Sequence, residues 1–229
     1  MPSSLDNIEV VAAALESVPT RFVFAGAGIL PLLVEPEFAQ DLHPTEDTDA
    51  VVQVLHIGEW LRLRDALLAC GFRERAMIHE SRQILFWLGD LPVDFIPPRL
   101  REFGTANRWL DLGFEFAEES QLPSGRVIER LPASAFLASK IAAFLSRGRQ
   151  DVLRSDDLDD IAALLVGRPT LPEEMSYAHS EIRAYMSEHF EAFRHDREVW
   201  DALPGYARSR EQLGQLLDAF ERVTAAVRK

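Results

Sequence analysis

The sequence is poor in the features that mark several large classes of protein. It has no basic excess: 24 lysines and arginines stand against 37 aspartates and glutamates, a formal net charge of −13. A general electrostatic grip on DNA, RNA or an anionic membrane needs a basic surface, so no extended DNA binding is expected. A local basic groove is not excluded, and an acidic enzyme can take a nucleotide where a metal ion bridges the two sets of negative charge. There is one cysteine, Cys70, so no intrachain disulfide can form, which suits a reducing compartment. No apolar run is long: the best candidate, Phe22 to Val34, is broken by Gly26, Gly28 and Pro31 and falls short of the roughly 20 residues that span a bilayer. The opening MPSSLDNIEVV lacks the basic segment and apolar core of a signal peptide. The expectation is a cytoplasmic protein with no membrane partner. Internal repeats and low-complexity tails are absent as well.

What is present is the composition of a globular chain. Of 229 residues, 47% are hydrophobic and 27% charged, enough to bury a substantial core in one large domain or two small ones. Ser3 or Ser4 can cap a first helix with an apolar stripe of Ile8, Val11, Ala12 and Leu15. Arg21 to Ala25 reads as a buried strand left through the turn Gly26-Ala27-Gly28. Ile29 to Val34 reads as a short helix, and the stretch to Pro44 as loop with a helical turn. Asp47 to Leu55 reads as a second strand. Gly58 to Cys70 reads as a helix, with Trp60, Leu61, Leu63, Leu67 and Leu68 at helical spacing and Gly71 as its stop.

Two further runs, Gln83 to Leu88 and Leu91 to Ile96, flank Gly89-Asp90, a hairpin signature. Short strands are expected at Phe114–Phe116 and Gly125–Leu131. Beyond that the chain turns helical: Ser134–Leu145, Leu158–Leu165, Ser180–Phe193 and Ser209–Val227, with joints at Pro169, Pro172 and Pro204-Gly205. The expectation is α+β, a mixed sheet flanked by helices over residues 1–131, followed by a helical domain over 132–229 packed against it.

The chemistry concentrates in carboxylates. Residues two apart on a strand share a face, so Asp47 and Asp49 project together. Ionised side by side they repel unless a cation sits between them. Mg²⁺ favours carboxylate oxygens together with substrate phosphates. The same spacing also fits a loop aspartate followed by a cap. Asp94 lies in the apolar run LPVDFI, where an aspartate is disfavoured and costly to bury alone. It either faces solvent or an arginine, or it joins Asp47 and Asp49 in a group able to hold divalent ions for in-line phosphoryl transfer. Gly26-Ala27-Gly28 offers backbone N–H groups to phosphate or is a plain strand-to-helix turn. It is not a dinucleotide-binding fingerprint, because the third glycine is missing. Lys140 interrupts the apolar helix AFLASKIAAFL; it either snorkels to the surface or points at a phosphate. Arg147, Arg149 and Arg154 follow. In SDDLDDIAALL, Ser155 can cap a helix whose first turn suits acidic residues, and Asp160 lies further along, placed to pair with Lys140 or an arginine.

Taken in order, AGAG at Ala25–Gly28, TEDTD at Thr45–Asp49, PVDFI at Pro92–Ile96, SKIAAF at Ser139–Phe144 and DDLDDI at Asp156–Ile161 resemble the nucleotidyltransferases of the polymerase-beta-like superfamily. Within it they look most like the AbiEii-type toxin branch of bacterial toxin–antitoxin and abortive-infection systems and its relatives. The motifs cover about residues 22 to 166; the helical tail matches no motif.

The resemblance implies a nucleotidyltransferase-like fold and attack of an acceptor hydroxyl on the α-phosphate of an NTP, with release of pyrophosphate. The acceptor would be RNA, protein or a small molecule, and a partner antitoxin is implied. Asp47, Asp49 and Asp94 would hold Mg²⁺ or Mn²⁺, Asp94 activating the acceptor hydroxyl. Gly26, Gly28 and Thr45 would line the phosphates. Lys140 would contact the phosphate tail, and Asp157 and Asp160 would organise the helix that follows.

Two departures bear on activity. The first glycine of the family's pair is Ala25 here, and Gly28 stands where a hydroxyl residue is often found. His43 replaces an arginine that often precedes the Thr-x-Asp-x-Asp segment. These departures motivate an alternative: a nucleotidyltransferase fold kept as a catalytically weak or inactive binding or regulatory protein. A third reading is a helical interaction protein whose acidic residues only cap helices.

Overall fold

The computed structural model describes residues 3–40, 42–43, 45–74, 85–100 and 107–228. The chain divides into two compact units, Met1–Pro31 with His43–Pro132, and Leu32–Leu42 with Ala133–Lys229.

The first unit is built on a mixed sheet. Its helices are α1 (Ser4–Leu15), α3 (Ile57–Ala69) and α4 (Arg108–Glu115). The strands are β1 (Phe22–Ala25), β2 (Thr48–Val52), β3 (Phe72–Glu74), β4 (Leu85–Leu88), β5 (Leu91–Ile96), β6 (Glu118–Gln121) and β7 (Val127–Arg130). Among the described residues these seven form one sheet in the order β3-β4-β5-β2-β1-β7-β6. β2 runs antiparallel to β1 and parallel to β5.

Local chemistry explains most of these elements. Ser3 and Asp6 form a reciprocal capping box at the start of α1, and Ile8, Val11, Ala12 and Leu15 are buried along it. Gly89, at φ 63°, makes the two-residue connection of the β4–β5 hairpin, and Gly71, at φ 93°, follows the end of α3. One sheet face carries an aromatic cluster: Phe22, Phe72 and Phe86 each pack against Phe95, and Trp60 of α3 packs against Phe86. Such pairs contribute beyond their buried area.

Several expectations need correction. The segment after β1 is a 3₁₀ helix over Ala27–Leu32 instead of an α-helix over 29–34. Pro31 has no N–H, so it cannot close the α-type bond back to Ala27. β2 is shorter than residues 47–55. The β1 pairing ends at Phe22↔Val52 and the β5 pairing at Val51↔Ile96, beyond which Pro97 and Pro98 offer no N–H. Residues 114–116 form no strand: Phe114 and Glu115 are the last residues of α4, which Asn107 caps and which buries Trp109 and Phe114. In α3, Leu61 and Leu68 face solvent while Trp60, Leu63 and Leu67 form the stripe. Gln83 and Ile84, expected to begin the hairpin, lie outside the described residues.

The second unit is helical: α2 (Pro36–Ala39), α5 (Ala133–Ser146), α6 (Asp156–Gly167), α7 (Leu171–Tyr177), α8 (Ser180–His195), α9 (Arg197–Ala202) and α10 (Arg210–Val227). Its core includes the ring pairs Phe144–Phe193, Phe190–Phe220 and Trp200–Phe220. The segment Leu32–Leu42 belongs here because it docks on the end of α6. The Glu35 N–H donates to Gly167 O at 2.8 Å and Arg168 donates to Leu33 O at 2.6 Å. A Cβ on Gly167 would lie 2.7 Å from the Val34 side chain, so only glycine permits that approach.

Candidate active site

The sheet register builds the site. On β2, Thr48, Ala50 and Val52 point to the face that carries Phe95, which sends Asp49 to the opposite face. On β5, Val93 and Phe95 are fully buried on the aromatic side, so Asp94 emerges beside Asp49. Asp49 and Asp94 are direct register partners on adjacent parallel strands. Each has a second neighbour in the same row: Ala25 of β1 beside Asp49, and Leu85 of β4 beside Asp94. Asp47 is exposed and precedes the first residue of β2.

Two half-buried carboxylates in adjacent strands, with a third close by, cannot all ionise freely. Burial pushes the Asp94 carboxyl up to about 7, and the negative charges of Asp49 and then Asp47 add to the effect.

The glycine turn completes the site from β1. Gly26 has φ 66°, in the left-handed region, and a Cβ there would lie 1.7 Å from Asp49 Oδ2. The turn therefore presses its backbone directly on the carboxylate. Gly28 is different: a Cβ would meet Ile8 and the Thr45 methyl at 3.7 Å and the Asp47 carbonyl at 3.8 Å, ordinary contacts. The Thr45 hydroxyl donates to Asp47 Oδ1.

The donor set suits a hard divalent cation. Three acidic side chains interact electrostatically, their mutual repulsion is relieved by positive charge, and the absence of a side chain at Gly26 leaves room for the Asp49 carboxylate. Among the described residues, no three or more His, Cys, Asp or Glu side chains are grouped so that together they could hold a metal ion. Mg²⁺ is commonly held by one or two carboxylates with waters and substrate phosphates, a donor set to which Asp47 and Asp49 would contribute.

Lys140, Asp157 and Asp160 meet one another in the second unit. Lys140 on α5 is buried, with its ammonium 2.5 Å from Asp160 and 3.5 Å from Asp157 of α6. It also lies over the Phe136 ring, 5.7 Å from its centre. Burial pushes the Asp160 carboxyl up, an effect opposed by Lys140. Arg147 takes both oxygens of Asp157, at 2.8 and 2.9 Å. In the sequence Arg147 is only part of a basic island; the pairing of α5 with α6 in space supplies its partner.

No family model matches the chain, and no curated protein matches it in sequence. Its structure is similar to that of an antigenic nucleotidyltransferase-like protein from Paracoccidioides brasiliensis, at 16% identity over 95% of this chain and 93% of that one, with a TM-score of 0.50. The antibiotic-resistance factor ANT(2'')-Ia also matches, at 14% identity over 98% of this chain and 94% of that one, with a TM-score of 0.46. The fold of this chain is α+β and nucleotidyltransferase-like.

Proposed function

We propose that this chain is a divalent-metal-dependent nucleotidyltransferase, moving a nucleoside monophosphate from an NTP to a hydroxyl acceptor on RNA, protein or a small molecule. The observation that carries the reading is the parallel register of Asp49 with Asp94, with the Asp94 carboxyl raised to about 7. A carboxyl near neutrality is suited to take a proton at physiological pH. In the reaction the acceptor oxygen bonds to the α-phosphorus, its proton passes to Asp94, the bond from that phosphorus to the bridging oxygen breaks, and pyrophosphate leaves. Asp47 and Asp49 would hold Mg²⁺ or Mn²⁺, which supplies charge neutralisation for the phosphates. The backbone at Gly26 and Gly28 would line them. For its proposed phosphate contact, Lys140 would have to share its ammonium between the phosphate and the Asp157–Asp160 pair that now holds it.

A toxin role with an antitoxin partner, in the manner of the AbiEii-type branch, belongs to this proposal as its biological setting. The experiment for the chemistry is transfer of α-phosphate label from each of four NTPs with Mg²⁺ to transfer RNA, protein and small-molecule acceptors. Wild type should label an acceptor and stop on chelation, and Asp49→Asn and Asp94→Asn should lose about 100-fold or more, as when a charge-stabilising or proton-accepting group is removed. Equal labelling by wild type and Asp49→Asn would refute the assigned site.

One observation favours a second reading, a binding protein with little turnover. Gly28 supplies no hydroxyl to the phosphates, although a Cβ there would make only ordinary contacts. NTP binding without transfer to any acceptor would support it.

A further inference from the structure

Asp47 poses a positional problem. It precedes β2, its side chain is exposed, and the ladder hydrogen bonds that fix Asp49 and Asp94 do not reach it. A metal ligand must be held within about 0.5 Å of its working geometry, which a free loop does not provide.

The structure contains a chain of contacts that does. The Thr45 hydroxyl donates to Asp47 Oδ1. Thr45 is in turn held on both sides of its backbone by α1: its N–H donates to Ser4 Oγ at 3.2 Å, and its carbonyl accepts from Asn7 Nδ2 at 3.4 Å. Ser4 and Asn7 are 6% and 8% exposed, buried polar groups on a helix whose inner face is otherwise apolar. They stand one turn apart, on the same side. Buried polar side chains are costly without partners, and the partner both have is Thr45. Ser3 carries out the capping of α1, which leaves Ser4 available for this contact. The Thr45 methyl faces the Gly28 turn.

We infer that Ser4, Asn7 and Thr45 form a positioning relay for Asp47, in which α1 clamps the Thr45 backbone and the Thr45 hydroxyl orients the carboxylate toward a divalent cation. The inference rests on reading Asp47 as a metal ligand. It gives the Thr45 hydroxyl to Asp47 instead of to a phosphate.

The test is Mn²⁺ binding to the full chain without nucleotide, read from the paramagnetic resonance of free Mn²⁺, with thermal unfolding measured alongside. Groups behind a metal ligand typically change affinity by about 10–100-fold when removed. Thr45→Val should weaken Mn²⁺ binding about 10-fold, Thr45→Ser should restore it, and Ser4→Ala and Asn7→Ala should each weaken it although neither side chain touches the metal. A hydroxyl that contacts only phosphate would leave Mn²⁺ binding unchanged in all four. Loss of binding in Asp47→Asn with wild-type binding in Thr45→Val would overturn the relay and leave the metal reading standing. Unchanged binding in Asp47→Asn would overturn both. Should Ser4→Ala or Asn7→Ala unfold, the Thr45→Val and Thr45→Ser pair, at a half-buried loop position, decides the matter.

Discussion

Gly26 and Asp49 are in such close approach that a Cβ on the glycine would sit 1.7 Å from Asp49 Oδ2. Gly26→Ala meets both that overlap and a φ of 66°. The substitution should cost more than about 1 kcal/mol in stability and should abolish Mn²⁺ binding, because Asp49 must move. At Gly28 a Cβ would make only ordinary contacts, without such strain, so Gly28→Ser is the comparison. It should fold normally and tighten NTP binding by supplying the missing hydroxyl. Urea unfolding and NTP titration of the two variants check the contrast; equal damage from both would contradict this account of the turn.

The pH dependence of stability follows from Asp94. Its folded-state pKa of about 7 lies above the ordinary value of 3.8. The folded protein therefore binds the extra proton between these values. The associated stability is fully present below the ordinary value and is lost as pH rises through 7. Asp94→Asn removes the ionisation, so in metal-free buffer it should raise Tm by about 5 °C at pH 8 for a chain of this size, with the gain vanishing near pH 4. Calorimetry across that range checks the sign, and transfer activity should fall in the same variant.

Lys140 separates structure from chemistry. Lys140→Met leaves Asp160 buried without its cation, which pushes its carboxyl further above the usual range. By the same sign argument the penalty should be largest at neutral pH, about 2–3 kcal/mol, and should shrink on acidification. Lys140→Met with Asp160→Leu removes both charges and should recover most of the stability. If Lys140 contacts phosphate, the double variant stays deficient in NTP binding although it is stable; recovery of binding together with stability would show the pair to be structural only.

Thr48 offers a stabilising change. Its hydroxyl is buried, at 1% exposure, and has no hydrogen-bond partner among the described residues. Thr48→Val keeps the shape and the strand preference while removing an unsatisfied group, so stability should rise by about 1 kcal/mol. Since Thr48 points away from the carboxylates, Mn²⁺ binding should not change. Chemical unfolding and the Mn²⁺ assay together measure both outcomes.

Local chemistry makes much of this protein legible in its sequence. The capped α1, the Gly89-Asp90 hairpin and the long helices α5, α6, α8 and α10 each announce themselves through residues close along the chain. Elements without a local signature escape such a reading. β6 runs EESQ, a charged edge strand that exposes three of its four residues and so needs no apolar alternation. The alternation in Phe114-Glu115-Phe116 suggests a strand, but the Asn107 cap and the burial of Trp109 with Phe114 settle that stretch as helix.

The site divides in the same way. The candidate carboxylates, the small-residue turn and the placing of Lys140 and Asp160 on successive helices all follow from residue type, spacing and helical periodicity, which are local properties of the chain; that Lys140 pairs with Asp160 and Asp157 comes from the packing of those helices. Three other features come from the folded arrangement alone: Asp49 and Asp94 are register partners, Gly26 and not Gly28 is sterically indispensable, and Ser4 and Asn7 reach Thr45. Strand order and register arise from the packing of the whole sheet, and a one-residue slip would have sent Asp94 to the aromatic face. The alternation of Val93 and Phe95 with Asp94 sets the face, because both apolar side chains are buried in the core; which residue of the next strand lies beside Asp94 is set only by the packing of the sheet.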